Sequence, residues 1–319
     1  MKTPSSRVRT GATLVAFAAI ATAAQAHAAT ARGSGVPATD PALVAAYQRD
    51  YAASDAQYAA MKAAAHGGAQ APAGAGRLWK GTWTHNFDAP PFFKFGEGGT
   101  SNPALTPEYG LSPAQLTPEY QAMYDKKVAD LKKGIEWDQL SDCLPAGFPR
   151  WLTEPFLREF IVAPGETWLV TEQQSEVRRV YTDGRGHVPE DEAYPLWEGD
   201  SIGFWDGDTL VIHTNHVKPG QYQRGQPDYS DQTSTVEMMR QISPTKIRDD
   251  ITVYDPKSLT KPYRATFVYD KVDNPPRINM WSCNENNNVV KTAQGASDFV
   301  LPGEKGYKDP NHLEQGAQK

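Results

Sequence analysis

Two hydrophobic periods divide the chain. Between Asp40 and His66, residues Val44, Tyr47, Tyr51, Tyr58 and Met61 recur at helical spacing, with Asp40 as N-cap, Pro41 in the first turn and Gly67-Gly68 as the stop. This predicts one helix whose Tyr-rich stripe is a docking face. Thr117-Pro118-Glu119 opens a second helix that runs through Tyr124, Val128 and Leu131 to Gly134. After Cys143 the helical period gives way to short runs rich in Val, Ile, Thr, Trp and Tyr. They lie at 159–163, 166–172, 177–182, 200–205, 208–214, 232–242, 247–254, 264–270 and 277–283, with a further run at 78–85. Turn residues separate them, so they read as strands in mostly antiparallel order. Closing the sheet is the simplest way to manage their edges, and the fold class expected is mainly β, an antiparallel β-barrel with N-terminal helices.

The first residues change the picture of compartment. Lys2, Arg7 and Arg9 precede an apolar run from Ala12 to Ala24 and small-residue cleavage sites at Ala24-Gln25-Ala26 or Ala26-His27-Ala28. That is the pattern of a secretory signal peptide, and the run is shorter than the ~20 residues a membrane span needs. The organisation expected is a signal peptide at 1–26, an N-terminal helix and linker at 27–77, and a barrel domain at 78–319 with a helical insertion near 106–134. The mature protein is expected to be periplasmic or secreted. Residues 67–76, rich in Gly, Ala and Pro, read as a flexible linker, and 88–117 as irregular.

The whole chain of 319 residues carries 32 Lys+Arg against 38 Asp+Glu, a net charge of −6. No run of basic residues appears, so nucleic acid is not an expected partner. Cys143 and Cys283 are the only 2 cysteines. In an oxidising compartment they favour one disulfide, worth about 4–5 kcal/mol in the chain-entropy model, with two buried free thiols as the alternative. No thiolate zinc spacing, G-x-S-x-G elbow, G-x-G-x-x-G cradle, P-loop, H-E-x-x-H or haem attachment motif occurs. No cofactor and no metal are therefore expected.

Three turns set hairpin registers. Asp206-Gly207 at the centre of one turn pairs Phe204 with Thr209, Ile202 with Val211 and Asp200 with His213. A loop at 173–176 pairs Glu172 with Val177, Val170 with Arg179 and Trp168 with Tyr181; a turn at 243–246 places Glu237 opposite Thr252. A carboxylate beside an imidazole fixes its tautomer and raises its pKa, which makes His213, oriented by Asp200, a candidate general base; a structural hydrogen bond is the alternative. Arg185 and His187, in the loop after Asp183-Gly184, are placed at a barrel end. Trp168, Glu172, Arg179 and Tyr181 share one face suited to a flat, partly polar ligand, or to a Glu/Arg pair that closes the barrel.

The segment RRVYTDGRGHVPEDEAYPLWEGDSIGFWDGDTLVIHTNH at 178–216 resembles a family of exported, largely uncharacterised bacterial proteins. Their pattern is R-R-x-Y-x-D-G-R-x-H followed by W-x-G-x-S-x-G-x-W-x-G-D-T-L-V-V-x-T. The resemblance extends to CLPAGFPR at 143–150, ITVYDPKSLTKPY at 251–263 and WSCNENNN at 281–288, and Gly81-Thr82-Trp83 is similar to the G-x-W that opens lipocalin barrels. Departures are Asp206 where the family often has Glu, His213 where an acidic residue is common, and Met238 where Arg is common. The resemblance implies a lipocalin-like barrel in bacteria that degrade aromatic compounds.

Together these features lead us to expect an exported, cofactor-independent enzyme of lyase or isomerase type. It would act by acid/base chemistry on a hydrophobic, aromatic small molecule such as a lignin-derived phenolic. His213, Asp200, Arg185 and Tyr181 are the expected catalytic residues. Trp168, Glu172, Arg179, His187, Phe204 and Glu237 are the expected substrate contacts. A non-catalytic carrier of a hydrophobic ligand is the alternative, and an envelope-interaction protein using the 40–66 helix is a third reading.

Overall fold

A computed structural model describes residues 38–71, 74, 79–86, 116–133, 135, 138–275, 277–278, 289–291, 297–300 and 303–307. Nine strands form a closed barrel: β1 (Thr82–His85), β2 (Arg158–Ala163), β3 (Glu166–Thr171), β4 (Val177–Tyr181), β5 (Asp200–Asp206), β6 (Thr209–Asn215), β9 (Ser234–Ser243), β10 (Lys246–Tyr254) and β11 (Tyr263–Lys271). They follow one another around the ring in chain order, and β1 pairs with both β2 and β11. Two small ribbons, β7 (Gly220–Gln221) with β8 (Asp228–Tyr229) and β12 (Val289–Lys291) with β13 (Ser297–Phe299), stand apart. The mainly-β barrel with N-terminal helices is thus present. The leader, residues 87–115 and Cys283 lie outside the described residues. So does most of the strand expected at 277–283, of which 277–278 are described and are not in a strand.

An odd ring cannot alternate direction all the way round, so at least one neighbouring pair must run parallel. Here it is β4 with β5, joined through Val180/Ser201 and Tyr181/Ile202. Parallel neighbours need a long connection, and residues 182–199 supply it.

Both faces of the wall are buried. Inside, Phe160, Leu169, Val180, Trp205, Leu210, Ile212, Met239, Ile251, Phe267 and Tyr269 form the main core. Outside, Phe204, Val211, Val236, Met238 and Tyr254 pack with Leu43, Ala46, Tyr47 and Met61 of two short helices, α1 (Pro41–Gln48) and α2 (Ser54–Ala64). The single helix expected over 40–66 is therefore broken at 49–53, although Asp40 does cap α1, accepting from the Ala42 N–H at 2.7 Å. The break turns α2 so that its own apolar residues reach the wall. The Tyr stripe docks as expected, with Val44, Tyr51 and Tyr58 packed against the same cluster. α3 (Pro118–Leu131) begins at Thr117, as its sequence predicts, and buries Tyr120 and Tyr124.

The segment expected to be a free linker instead continues the sheet. Beyond the end of β4, Ala69 exchanges two 2.8 Å backbone hydrogen bonds with Trp205. Gly68 makes this approach possible: its φ is +72°, and a Cβ there would lie 2.6 Å from Phe204. Gly67 has φ +99° with open space around it. Gly67→Ala is therefore expected to cost about 1–2 kcal/mol for the left-handed backbone alone, and Gly68→Ala clearly more. Chemical denaturation of the two variants measures the difference.

Candidate functional site

Two turns shift the expected registers by two residues, which preserves faces but changes partners. In the β5–β6 hairpin, Gly207 takes positive φ (55°) as the first central residue, so Asp206 pairs with Thr209. Asp200 then lies opposite Asn215, and His213 opposite Ile202. The direct Asp200/His213 pairing is corrected accordingly. At the β3–β4 turn, Gln174 and Ser175 both have positive φ, and Trp168 pairs with Arg179 rather than with Tyr181. Between β9 and β10 a bulge at Lys246/Ile247 shifts the pairing by one, placing Glu237 opposite Ile251.

Asp200, Phe204 and His213 share a face as expected, but it is the outer face, sheltered by α2. The long 182–199 connection brings His187 between the other two. Its Nδ1 lies 2.7 Å from Asp200 Oδ2, and its Nε2 lies 2.8 Å from His213 Nδ1. His213 Nε2 in turn lies 2.8 Å from Ser54 Oγ, the first residue of α2, and Ser54 Oγ lies 2.8 Å from Ser234 Oγ. Tyr58 stacks on His213, with ring centroids 5.3 Å apart. The Ser54 hydroxyl can donate to Ser234; when it turns to His213 instead, one proton arrangement satisfies the chain, in which Asp200 accepts from His187, His187 from His213, and His213 from Ser54.

The expected upward pKa shift of His213 is reversed. Burial first, then the neighbouring His187, hold it at about 4, against the weaker pull of Asp55 and Asp200. Burial alone would raise Asp200, but the hydrogen bonds from His187 and the Val188 N–H outweigh it and hold the carboxylate below its ordinary range.

The other expected residues divide between two places. Arg179, Tyr181 and Arg185 line a shallow outer groove of about 380 Å³. There Arg185 pairs with Asp183 at 2.6 Å and stacks on Tyr181, while Arg179 stacks on Trp168. This is the solvated, salt-bridged arrangement, with no contact to His213. Glu172 leaves the hairpin, and its carboxylate accepts from the Leu157 N–H at 3.2 Å. Glu237 alone projects into the lumen.

Around Glu237 lies a cluster that the sequence reading missed. Its partner is Arg178, the neighbour of the expected Arg179, with Nη1 3.0 Å from Glu237 Oε1 and Nη2 bonded to Oε2. Arg178 also donates to Ser201 and Thr214 and lies 3.7 Å from the centroid of Phe148. Beside this pair Asp249 is 0% exposed; no donor group among the described residues meets either of its oxygens, and its nearest polar neighbour is the Glu237 carboxylate, with which it can share a proton. Burial, then the Glu237 carboxylate, push its pKa well above the usual carboxylate range. The Tyr269 hydroxyl and Nε and Nη1 of Arg158 are enclosed without a partner among the described residues, while Arg158 Nη2 donates to the Trp151 and Glu154 carbonyls. Arg158 stacks over both Tyr269 and Trp151, at 5.1 and 5.0 Å. Glu198, from the same long connection as His187, has both oxygens enclosed; burial and Glu176 raise its pKa as well. Alternation along β4 pointed to this cluster: once Val180 is assigned inward, so is Arg178.

Among the described residues no group of three or more His, Cys, Asp or Glu side chains is arranged to hold a metal ion. No helix there is long and apolar enough to cross a membrane.

His213 gives the fold a pH dependence with a definite sign. It is neutral in the native state down to about pH 4, whereas an unfolded histidine takes up a proton near 6.5. Unfolding therefore binds a proton in that window, and stability falls as pH drops from about 6.5 to 4 by on the order of 3 kcal/mol. Urea unfolding of wild type and His213→Gln at several pH values should show the variant losing about one proton's worth of this slope. A scan against protein-family models finds no matching family, and a search of curated proteins finds no matching relative.

Proposed function

We propose that the protein is an enzyme of lyase or isomerase type, working by acid/base chemistry on a hydroxylated aromatic small molecule held in the barrel lumen. The observation that carries this reading is Asp249, a wholly buried carboxyl group whose one close polar neighbour is another acid, Glu237: only a shared proton joins the two carboxyl groups, and no nitrogen or hydroxyl donor among the described residues completes Asp249. An unmet buried polar group costs about 1–3 kcal/mol, more if charged, so its retention calls for a ligand that completes it. The raised pKa of Asp249 favours the protonated form, which donates a hydrogen bond or a proton to a ligand oxygen. Arg158 and Tyr269 offer donors for a developing oxyanion or phenolate. A cleft of about 410 Å³, lined in part by Tyr120, Asp138, Gln221 and Tyr229, is the proposed entrance. Tyr229, which lines it, is buried and lies in the field of Arg150, Glu198 and Glu176.

This reading moves the acid/base role from His213 and Asp200, on the outer wall, to Asp249 in the lumen, and keeps Glu237 as a site residue. Export through the leader and a disulfide between Cys143 and Cys283 are part of the same proposal. Intact mass of the exported protein before and after reduction should differ by the mass of two hydrogen atoms.

Incubation of the purified protein with a panel of methoxylated phenols, followed by liquid chromatography and mass spectrometry, should reveal a product of changed mass or retention. Asp249→Asn keeps the shape of the site and removes its acid, and should lower turnover at least 100-fold while ligand binding persists. Saturable binding with no product from any compound would instead make the protein a carrier.

A further inference from the structure

The chain Asp200–His187–His213–Ser54 lies outside the lumen and has no part in the function proposed above. It ends at a groove of about 570 Å³, between the start of α2 and the segment that follows β10. Ser54 and Ser234 line this groove, facing the apolar surfaces of Tyr254, Pro256, Leu259 and Pro262. A hydroxyl bonded to an imidazole, itself oriented by a further hydrogen-bonded group, is the arrangement that activates a serine nucleophile.

We propose that Ser54 is the nucleophile of a second, acyl-transferring site, which cleaves small esters with an apolar acyl or aryl group bound in this groove. Ser54 Oγ bonds to the ester carbonyl carbon as its proton passes to His213 Nε2. His213 simultaneously gives its Nδ1 proton to His187 Nε2. The positive charge thus settles on His187, directly beside the Asp200 carboxylate at 2.7 Å, and not on the enclosed His213. The tetrahedral oxyanion then collapses, the bond to the departing oxygen breaks, and the protons run back along the chain so that the leaving group departs as an alcohol or phenol. Water repeats the sequence on the acyl-serine, restoring Ser54 and releasing the carboxylic acid.

The first turn of α2 adds donors for the oxyanion. The first N–H groups of a helix have no intrahelical partner and point out of its N-terminal end. The N-cap, Ala53, has no side chain to occupy them, and Ala52, Ala53, Ser54 and Asp55 all line the groove. The second histidine has a physical purpose here. With His213 only 2% exposed, a lone imidazole would have to hold its charge against Phe204 and Tyr58 with only the solvent-exposed Asp55 carboxylate, 3.8 Å from Nε2, to offset it, whereas the relay moves it to a partly exposed ring 2.7 Å from the Asp200 carboxylate.

The full-length protein is treated with a fluorophosphonate probe and digested, and the modified peptide is identified by mass spectrometry; p-nitrophenyl butyrate hydrolysis is followed in parallel. The proposal expects an adduct on Ser54, loss of labelling and hydrolysis in Ser54→Ala, and a fall of 100-fold or more in His213→Gln. Folded wild-type protein with Ser54 unmodified would overturn it, as would nitrophenol release that persists in Ser54→Ala. Since Ser54 lies outside the barrel, neither result bears on ligand turnover in the lumen.

Discussion

A closed ring of nine strands has to contain a parallel step, and much of the chemistry here follows from where that step falls. It falls between β4 and β5, so the chain must travel from one end of the barrel to the other before β5 can begin. The connection 182–199 makes that journey and delivers one residue to each polar cluster. His187 comes to rest on the outer wall between Asp200 and His213, and Glu198 reaches Glu176 near the Arg178–Glu237 pair inside. The same connection is held down at its far end, where Trp197 accepts from the Phe148 N–H at 2.7 Å and so fixes the aromatic ring on which Arg178 stacks. An even-stranded barrel with a tight β4–β5 turn would bring neither His187 to Asp200 and His213 nor Glu198 to Glu176.

The lumen illustrates a second constraint, that of charge taken out of water. Arg178 and Glu237 are 1% and 0% exposed, and such pairs contribute little net stability, while loss of one partner typically costs about 3–5 kcal/mol. The pair is nevertheless well satisfied, since Ser201, Thr214 and Phe148 complete the guanidinium. What remains unsatisfied is its surroundings. Asp249, Arg158 and Tyr269 carry hydrogen-bonding capacity that no donor or acceptor of ordinary geometry among the described residues takes up, beside the apolar side chains of the main core. A barrel selected for stability alone would place apolar side chains at these positions, which is the physical ground for reading them as a ligand site.

Strand positions, the capped N-terminus of α1 and the face shared by Asp200, Phe204 and His213 were legible in the sequence, because period-2 alternation and turn residues carry that information locally. Register was less so. Gly207 was read as the second central residue of its turn and is the first, a slip of two that left the face intact and altered every partner. The side of the wall could not be read at all for β6, since all of Thr209 to Thr214 are buried. A strand covered on both faces shows no polar stripe, and the Asp200 face looked as suited to the lumen as to the exterior. Arg178 and Arg179 are adjacent, and only knowledge of the inward face separates them. His187 and Ser54 reach His213 from 26 and 159 residues away, which no local spacing encodes.

The helices α1 and α2 explain why β6 is buried twice over. Their cluster with Phe204, Val211, Val236 and Met238 turns part of the barrel's exterior into a second core, and burying each large apolar side chain there contributes about 1.5–3 kcal/mol. Polar bonds fix the docking geometry. Gln57 donates to Tyr47 and Thr252 and accepts from Tyr254, so α2 is held by contacts to β10 as well as by its apolar face. That anchoring sets where Ser54 sits relative to His213. It also encloses the imidazole, keeping it neutral and ready to accept a proton. The enclosure that makes His213 a poor place for a positive charge is the condition under which a second histidine, delivered by the long connection, becomes chemically useful.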